Sequence, residues 1–301
     1  MNSICEKSLY YRCSCKTNYH LPLILPLYDG HCHIDLFFKY GFNETDLYNQ
    51  LSNGRQIIFV DNRHHYNRWF INYELKSPNT KIYTTYGIHP KYIPSNPQYI
   101  FEQLENIFKH QYNLSTKTVG IGECGLDDTS SYSYDLQLRI FRFQLVLAAK
   151  YQLPLVLRGR GNHSFGLMLQ ELKQHLNPMH KIHWHCVNAK SDLKIISNFL
   201  KHFHNSFIGL NGSLKSQNDV ESQKIFHKWL LVQENILSKI IIETDYPFLK
   251  PYALQETQHN PITSIAYTAQ QIVNILRKKN INTTKVIDQS NNNIRQMYDI
   301  D

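Results

Sequence analysis

A chain of 301 residues with 42% hydrophobic and 19% charged residues has the make-up of a folded globular protein, not of a disordered one. No apolar run approaches the roughly 20 residues needed to cross a bilayer, and residues 1–20 lack the apolar stretch of a secretory signal. The net charge of +8 makes an acidic partner plausible, nucleic acid first, although Lys and Arg also simply keep a Tyr-rich chain soluble.

In chain order, residues 1–20 read as an extension. Cys5, Cys13 and Cys15 within it lack a second pair of metal-binding spacing. Residues 21–27 are an apolar run of strand length, followed by Tyr28-Asp29-Gly30-His31-Cys32-His33-Ile34-Asp35. Side chains alternate along extended backbone, so His31 and His33 project to one side and can share a cation, while Cys32 points the other way. A short helix is expected over 44–51, a β-branched and aromatic strand over 55–61, and a helix over 66–75. Residues 81–87 read as the third strand, ending in Ile88-His89-Pro90-Lys91, and a helix follows from 95–97 to 110.

Residues 118–123 form the fourth strand. The clearest helix is 135–151, where Leu138, Phe141, Leu145 and Ala148 recur at three- and four-residue steps. Leu155-Val156-Leu157 is the fifth strand, ending at Arg158, and a helix over 165–175 leads to a sixth strand at 181–186. Helix 192–202, strand 206–210, helix 220–232 and the nearly all-β-branched strand 239–245 come next. Helices at 262–276 and 284–298 close the chain, and the basic cluster Arg277-Lys278-Lys279 reads as a solvated helix end.

Eight strands alternating with helices over about 270 residues predict an α/β fold, a (β/α)8 TIM barrel, as a single domain over 21–301 behind the short N-terminal extension. A doubly wound open sheet is the runner-up, but no Gly-x-Gly-x-x-Gly turn follows the first strand. In such a barrel the C-terminal strand ends form the working rim. Those ends carry His31, His33, His89, Glu123, Arg158, His185 and Asp245. Imidazoles and carboxylates converging on one rim suit Zn²⁺, or Mn²⁺ or Mg²⁺. Cys32, Cys124 and Cys186 each adjoin a candidate ligand and are expected to face the helix layer. Six cysteines in a chain this long make no disulfide framework, which places the protein in a reducing, intracellular compartment.

These segments resemble the TatD family of metal-dependent deoxyribonucleases, within the amidohydrolase-like barrels. The resemblance rests on 29–35, on Gly87-Ile88-His89-Pro90, and on Gly120-Ile121-Gly122-Glu123-Cys124-Gly125-Leu126-Asp127. Gln137, Phe141 and Gln144, then Leu153-Pro154-Leu155-Val156-Leu157, His185-Cys186, Glu243-Thr244-Asp245-Tyr246-Pro247 and Asn293 with Met297-Tyr298 extend it. Segment 181–186 looks most like the animal members. The resemblance implies a divalent-metal phosphodiesterase trimming DNA from the 3′ end, with RNA as a second polymer. It implies His31, His33 and Asp245 as ligands of one metal, Glu123 as a bridging carboxylate and His185 as a ligand of a second. Glu123 and Asp245 are then the catalytic carboxylates, Asp245 as general base. His89, Lys91 and Arg158 fall on the substrate side.

Arg158 departs from the pattern, because the family places a His there as the second metal's other ligand. Guanidinium has no lone pair to give. A unit charge about 5 Å from a divalent ion costs roughly 6–7 kcal/mol at an effective dielectric of about 20. The second metal is therefore absent or weak, or Arg158 swings clear; His163 in the next loop reads first as an exposed loop histidine and second as a substitute ligand. Gly159-Arg160-Gly161 and Val187-Asn188-Ala189 also depart from the family's loops. Two other functions compete: a weakened relative kept as a nucleic-acid-binding or interaction protein, and a small-molecule amidohydrolase on the same barrel.

Overall fold

Short runs of Ile, Val, Phe and Tyr pair in chain order into one parallel sheet that curls back on itself. The computed structural model describes residues 9–11, 19–21, 25–45, 54–71, 75–110, 117–215, 219–277 and 280–301. Cys5, Cys13, Cys15, Lys278, Lys279 and residues 46–51 of the expected first helix lie outside them. Strands β1 (Leu9–Tyr11) and β2 (Tyr19–Leu21) form a separate antiparallel pair within and just past the sequence extension.

The barrel strands are β3 (Leu27–Cys32), β4 (Ile57–Arg63), β5 (Thr80–Tyr86), β6 (Lys117–Asp127), β7 (Leu155–Arg160), β8 (Ile182–Trp184), β9 (Ser206–Leu210) and β10 (Ile240–Ile242). Each pairs in parallel with the next, from β3 to β10. The seam between last and first is closed by Asp245 N–H donating to the His31 carbonyl at 2.9 Å and His33 N–H donating to the Tyr246 carbonyl at 2.9 Å. The (β/α)8 reading therefore holds. Period-two alternation sends Leu27, Ile57, Leu155 and Ile182 outward into the helix layer. Tyr28, Ile58, Val60, Val119, Val156, Phe207 and Ile241 turn inward. That inner cluster is completed by Ile294, Met297 and Tyr298 of the C-terminal helix Thr283–Tyr298.

The helix layer forms where apolar residues recur at three- and four-residue steps. Helix Tyr134–Tyr151 begins under Ser133, whose side chain accepts from Leu136 N–H, and buries Phe141, Leu145 and Ala148. Helix Pro261–Leu276 starts with proline at its first turn and an Asn260 capping box. Several expected boundaries moved. The fourth strand runs on to Asp127, so Glu123 lies inside it, and the sixth ends at Trp184, just before His185. Among the described residues of the helix expected over 66–75, only Tyr66–Arg68 is helical, as one 3-10 turn, and Leu75 is outside any helix. Here Arg63 donates to the Trp69 and Ile71 carbonyls at 2.9 and 2.7 Å, taking acceptors a continuing helix would need. The first barrel strand starts at Leu27, not at 21, so His31 lies within it and His33 directly after it.

The C-terminal helix secures the seam by polar contacts. Asn291 donates to the Pro26 carbonyl at 2.8 Å, and Ser290 Oγ accepts from Ile242 N–H at 2.7 Å. Asn293 donates to the Leu237 and Ile240 carbonyls at 2.9 and 2.6 Å. No helix among the described residues is long and apolar enough to cross a membrane. Asn293→Ala leaves two carbonyls without their donor and is expected to destabilise the fold by about 1–3 kcal/mol. A thermal melt should show a fall of roughly 2–8 °C; an unchanged midpoint would deny the seam role.

Candidate metal centre

Barrel closure brings the expected ligands to one buried mouth. His33 Nε2 lies 3.0 Å from Asp245 Oδ1, and His31 Nε2 lies 3.6 Å from both Asp245 Oδ1 and Glu123 Oε2. His185 Nε2 lies 3.8 Å from Glu123 Oε1 and 3.9 Å from Asp245 Oδ2, with its ring stacked on His31 at 3.8 Å. Donors on one tetrahedral ion with bonds of about 2.0–2.1 Å sit roughly 3.3 Å apart, so the first three spacings suit a shared cation. His31, His33 and Asp245 form one candidate set, and His31, Glu123 and His185 another.

His31 argues hardest for an ion. Its side chain is buried and neither ring nitrogen has a hydrogen-bond partner among the described residues. Leaving such a group unsatisfied costs about 1–3 kcal/mol, and a cation taking the Nε2 lone pair removes that cost. Burial, then the neighbouring His185 and His33, hold its pKa well below the ordinary value, which keeps it neutral as a ligand must be. His33 is set differently. Nδ1 is 2.8 Å from the Asn62 carbonyl, which orients Nε2 towards Asp245. Burial opposes its charge, but Asp245 outweighs burial and lifts its pKa to about 9. A bound cation would displace that proton.

Backbone details aim the carboxylates. Glu123 follows Gly122, whose φ of +143° is open to glycine and whose Cβ would meet the Val156 carbonyl at 2.6 Å. Asp245 takes a left-handed φ of +52°, a conformation Asp tolerates better than most residues. Two glutamines of helix Tyr134–Tyr151 brace the neighbouring rim: Gln144 accepts from Ile88 N–H at 2.8 Å and Gln137 from Asp127 N–H at 2.9 Å.

The TatD related DNase family model matches residues 28–299. The chain belongs to the TatD family. An uncharacterized metal-dependent hydrolase of Buchnera aphidicola is 24% identical over 285 residues, covering 91% of this chain and 96% of that one. The human 3′-5′ RNA nuclease TATDN2 is 28% identical over 176 residues, 56% of this chain but 21% of that protein. The solved TatD homologue YjjV of Escherichia coli superposes with a TM-score of 0.67 at 19% identity, over 91% of this chain and 98% of that one.

Within that TatD frame, Arg158 does not swing clear. Its Nη1 lies 3.4 Å from Glu123 Oε1 and 3.3 Å from His185 Nε2, between the two groups expected to hold a second metal. Burial works against its charge, but Glu123 together with Cys186, Asp245 and Asp127 outweighs burial and raises its pKa further. His163 is exposed at the start of helix Ser164–His175, its N–H on Asp128, and is no replacement ligand. His89 Nδ1 accepts from Lys91 N–H at 3.0 Å, which leaves Nε2 protonated and 3.7 Å from Glu123 Oε1. Lys91 is held 3.7 Å from Asp127 at the rim. Cys32 and Cys124 pack in the outer core with Sγ near the Val60 and Val156 carbonyls. Cys186, half-buried beside Glu243 and His185, does not join them.

Sequence reasoning passed over His64 and Glu243. His64 stands 3.1 Å from His33, Nδ1 to Nδ1, and its position after a strand end was the available signal. Glu243 is the carboxylate behind His185. One oxygen lies 3.0 Å from His185 Nδ1 and accepts from Cys186 N–H and Asn211 Nδ2 at 2.8 Å each; the other lies 3.1 Å from His183 Nε2. Burial pushes its pKa up, but His185 and the other partners outweigh that and hold it well below the carboxylate range. With His185 Nδ1 donating to Glu243, Nε2 is left as the acceptor that faces Arg158. Gly209 leaves room for Glu243, since a Cβ there would meet its carboxylate at 2.1 Å. Gly209→Ala should displace Glu243, loosen His185 and lower Mn²⁺ affinity about 10- to 100-fold by calorimetric titration; parent-like affinity would show that Glu243 does not govern the centre.

Proposed function

We propose that the protein is an intracellular divalent-metal phosphodiesterase, of cytoplasm or nucleus, that trims DNA exonucleolytically and accepts RNA as a second polymer. The observation that carries this is the convergence of His31, His33, Glu123, His185 and Asp245 on one mouth, with both nitrogens of buried His31 unpartnered. TatD membership and a net charge of +8 support a polyanionic substrate. His31, His33 and Asp245 hold one ion, Zn²⁺, Mg²⁺ or Mn²⁺, with Glu123 beside it. When bound, that ion supplies Lewis acidity towards a phosphate oxygen and lowers the pKa of water.

The chain's own residues do the rest. Asp245 keeps Oδ2 free of His33 and can accept the proton of the attacking water. Arg158 presents its planar fork where a phosphate oxygen can take two charge-assisted hydrogen bonds. His89 Nε2–H and Lys91 add donors on the same side, Lys91 as a point charge. Arg158 cannot activate water as a second metal does, so hydrolysis is slow or conditional. The second reading, a weakened nuclease kept for nucleic-acid binding or interaction, draws on the same placement of Arg158 between Glu123 and His185. A neutral amide or lactone would leave that guanidinium unanswered.

His31→Ala and Asp245→Asn should each lose the bound ion by elemental analysis; unchanged stoichiometry in both would remove the assignment. Arg158→His should raise occupancy to a second ion and speed phosphodiester cleavage. Arg158→Ala should weaken oligonucleotide binding about 10- to 100-fold, the worth of a charged hydrogen bond, without adding metal. A parent protein that already binds two ions and cleaves as fast as Arg158→His would overturn this account of the site.

A further inference from the structure

Six rings form one arc along the mouth beside Glu123. Tyr40 follows β3, His64 and His65 follow β4, Tyr92 follows β5 and Phe248 follows β10, with His33 in the middle. Successive centroids are 5.9 Å apart for Tyr40–Phe248, 5.6 Å for Phe248–His33, 4.5 Å for His33–His64, 5.5 Å for His64–Tyr92 and 4.7 Å for Tyr92–His65. Tyr40, Tyr92 and Phe248 are 53%, 42% and 39% exposed. Single exposed rings need no explanation, but these join through ring contacts to a candidate metal ligand.

Charged and donor groups border the arc. Glu123 Oε1 faces the cationic and donor groups, with Arg158 at 3.4 Å and His89 at 3.7 Å. Glu123 Oε2 faces His31 and His33, on the side of the arc. Lys39 stands 5.9 Å above the Tyr40 ring at the far end. His89 also packs against the arc, 5.2 Å from His64 and 5.4 Å from Tyr92 between ring centroids, so donors for a phosphate and flat faces for bases lie side by side. A duplex stacks its bases on each other and offers few free faces, whereas a single strand offers one per nucleotide.

We propose that this arc is a nucleobase ledge for single-stranded DNA, with Phe248–Tyr40 and Tyr92–His65 each stacking a base on either side of the phosphate held at the cation site. The proposal rests on the phosphodiesterase reading and adds the residues that grip the substrate. It is tested in EDTA, where no cleavage occurs, by fluorescence anisotropy of a labelled single-stranded DNA octamer with the full chain. Phe248→Ala and Tyr92→Ala should each weaken binding about 5- to 100-fold, and Phe248→Trp and Tyr92→Trp should restore it. An octamer with abasic sugars at its two central positions should bind the parent as weakly as the Ala variants bind the intact strand. Affinity within two-fold of the parent in both Ala variants, or an abasic strand bound as tightly as the intact one, overturns the ledge. RNA of the same sequence bound tenfold more tightly overturns its assignment to DNA. Failure of the underlying reading shows separately, as a parent protein loaded with Mn²⁺ that hydrolyses neither DNA nor bis(p-nitrophenyl) phosphate.

Discussion

The centre exists because the barrel closes. Asp245 and His33 stand 212 positions apart in sequence yet 3.0 Å apart in space, and the two backbone hydrogen bonds across the β3–β10 seam bring them together. Thr244 adds to this by donating its N–H to Asp29 Oδ1 at 2.9 Å. Burial lifts the Asp29 pKa to about 7 against those Thr244 hydrogen bonds, so keeping it charged costs the fold above that value and the cost is relieved as it protonates below it. A side-chain constellation of this kind is set by register: slipping β10 by one residue would turn Asp245 away from His31 and His33.

The second half of the centre shows how one substitution redirects a site. At the position where a TatD relative is expected to offer an imidazole lone pair, Arg158 offers hydrogen-bond donors, and everything around it accommodates a donor. Glu123 Oε1 faces it, His185 Nε2 is left as an acceptor by Glu243, and Cys186, its thiol raised by burial to about 12, stays neutral beside it. A guanidinium fixed there brings positive charge 3.4 Å from Glu123 Oε1, although that oxygen, like both nitrogens of His31, has no hydrogen-bond partner among the described residues. The two halves therefore differ in the charge already present, and the difference traces to residue type.

Much of this was readable in advance. His31, His33, Glu123, His185 and Asp245 declared themselves by falling in or just past the C-terminal halves of β3, β6, β8 and β10, which a parallel barrel gathers onto one rim. The period of 135–151 and the β-branched run before Asp245 located their elements to within a few residues. What escaped had no local signature. The stop of the helical turn at Arg68 depends on Arg63, a buried cation whose partners Asp61, Trp69 and Ile71 meet only after folding. Glu243 looked like part of a motif because its partners, His183, His185 and Asn211, come from other strand ends. His64 carried the right residue type, but nothing in its neighbours marked it until His33 and Tyr92 came alongside.

Glu123 ties these threads together. It is the residue whose two oxygens face different chemistry, one turned to His31 and His33 and the other to Arg158, His185 and His89. In a site with ions on both sides, such a carboxylate bridges equals. Here it separates a half suited to a cation from a half that carries its own fixed positive charge, and a substrate phosphate entering between them would meet positive charge on both sides at once. Positive charge already fixed beside the reacting atoms needs no reorganisation at the moment of reaction. On the proposed phosphodiesterase reading, the protein would retain electrostatic grip on the phosphate while giving up one route to an activated water, and that trade would follow from an arginine in the place of a histidine.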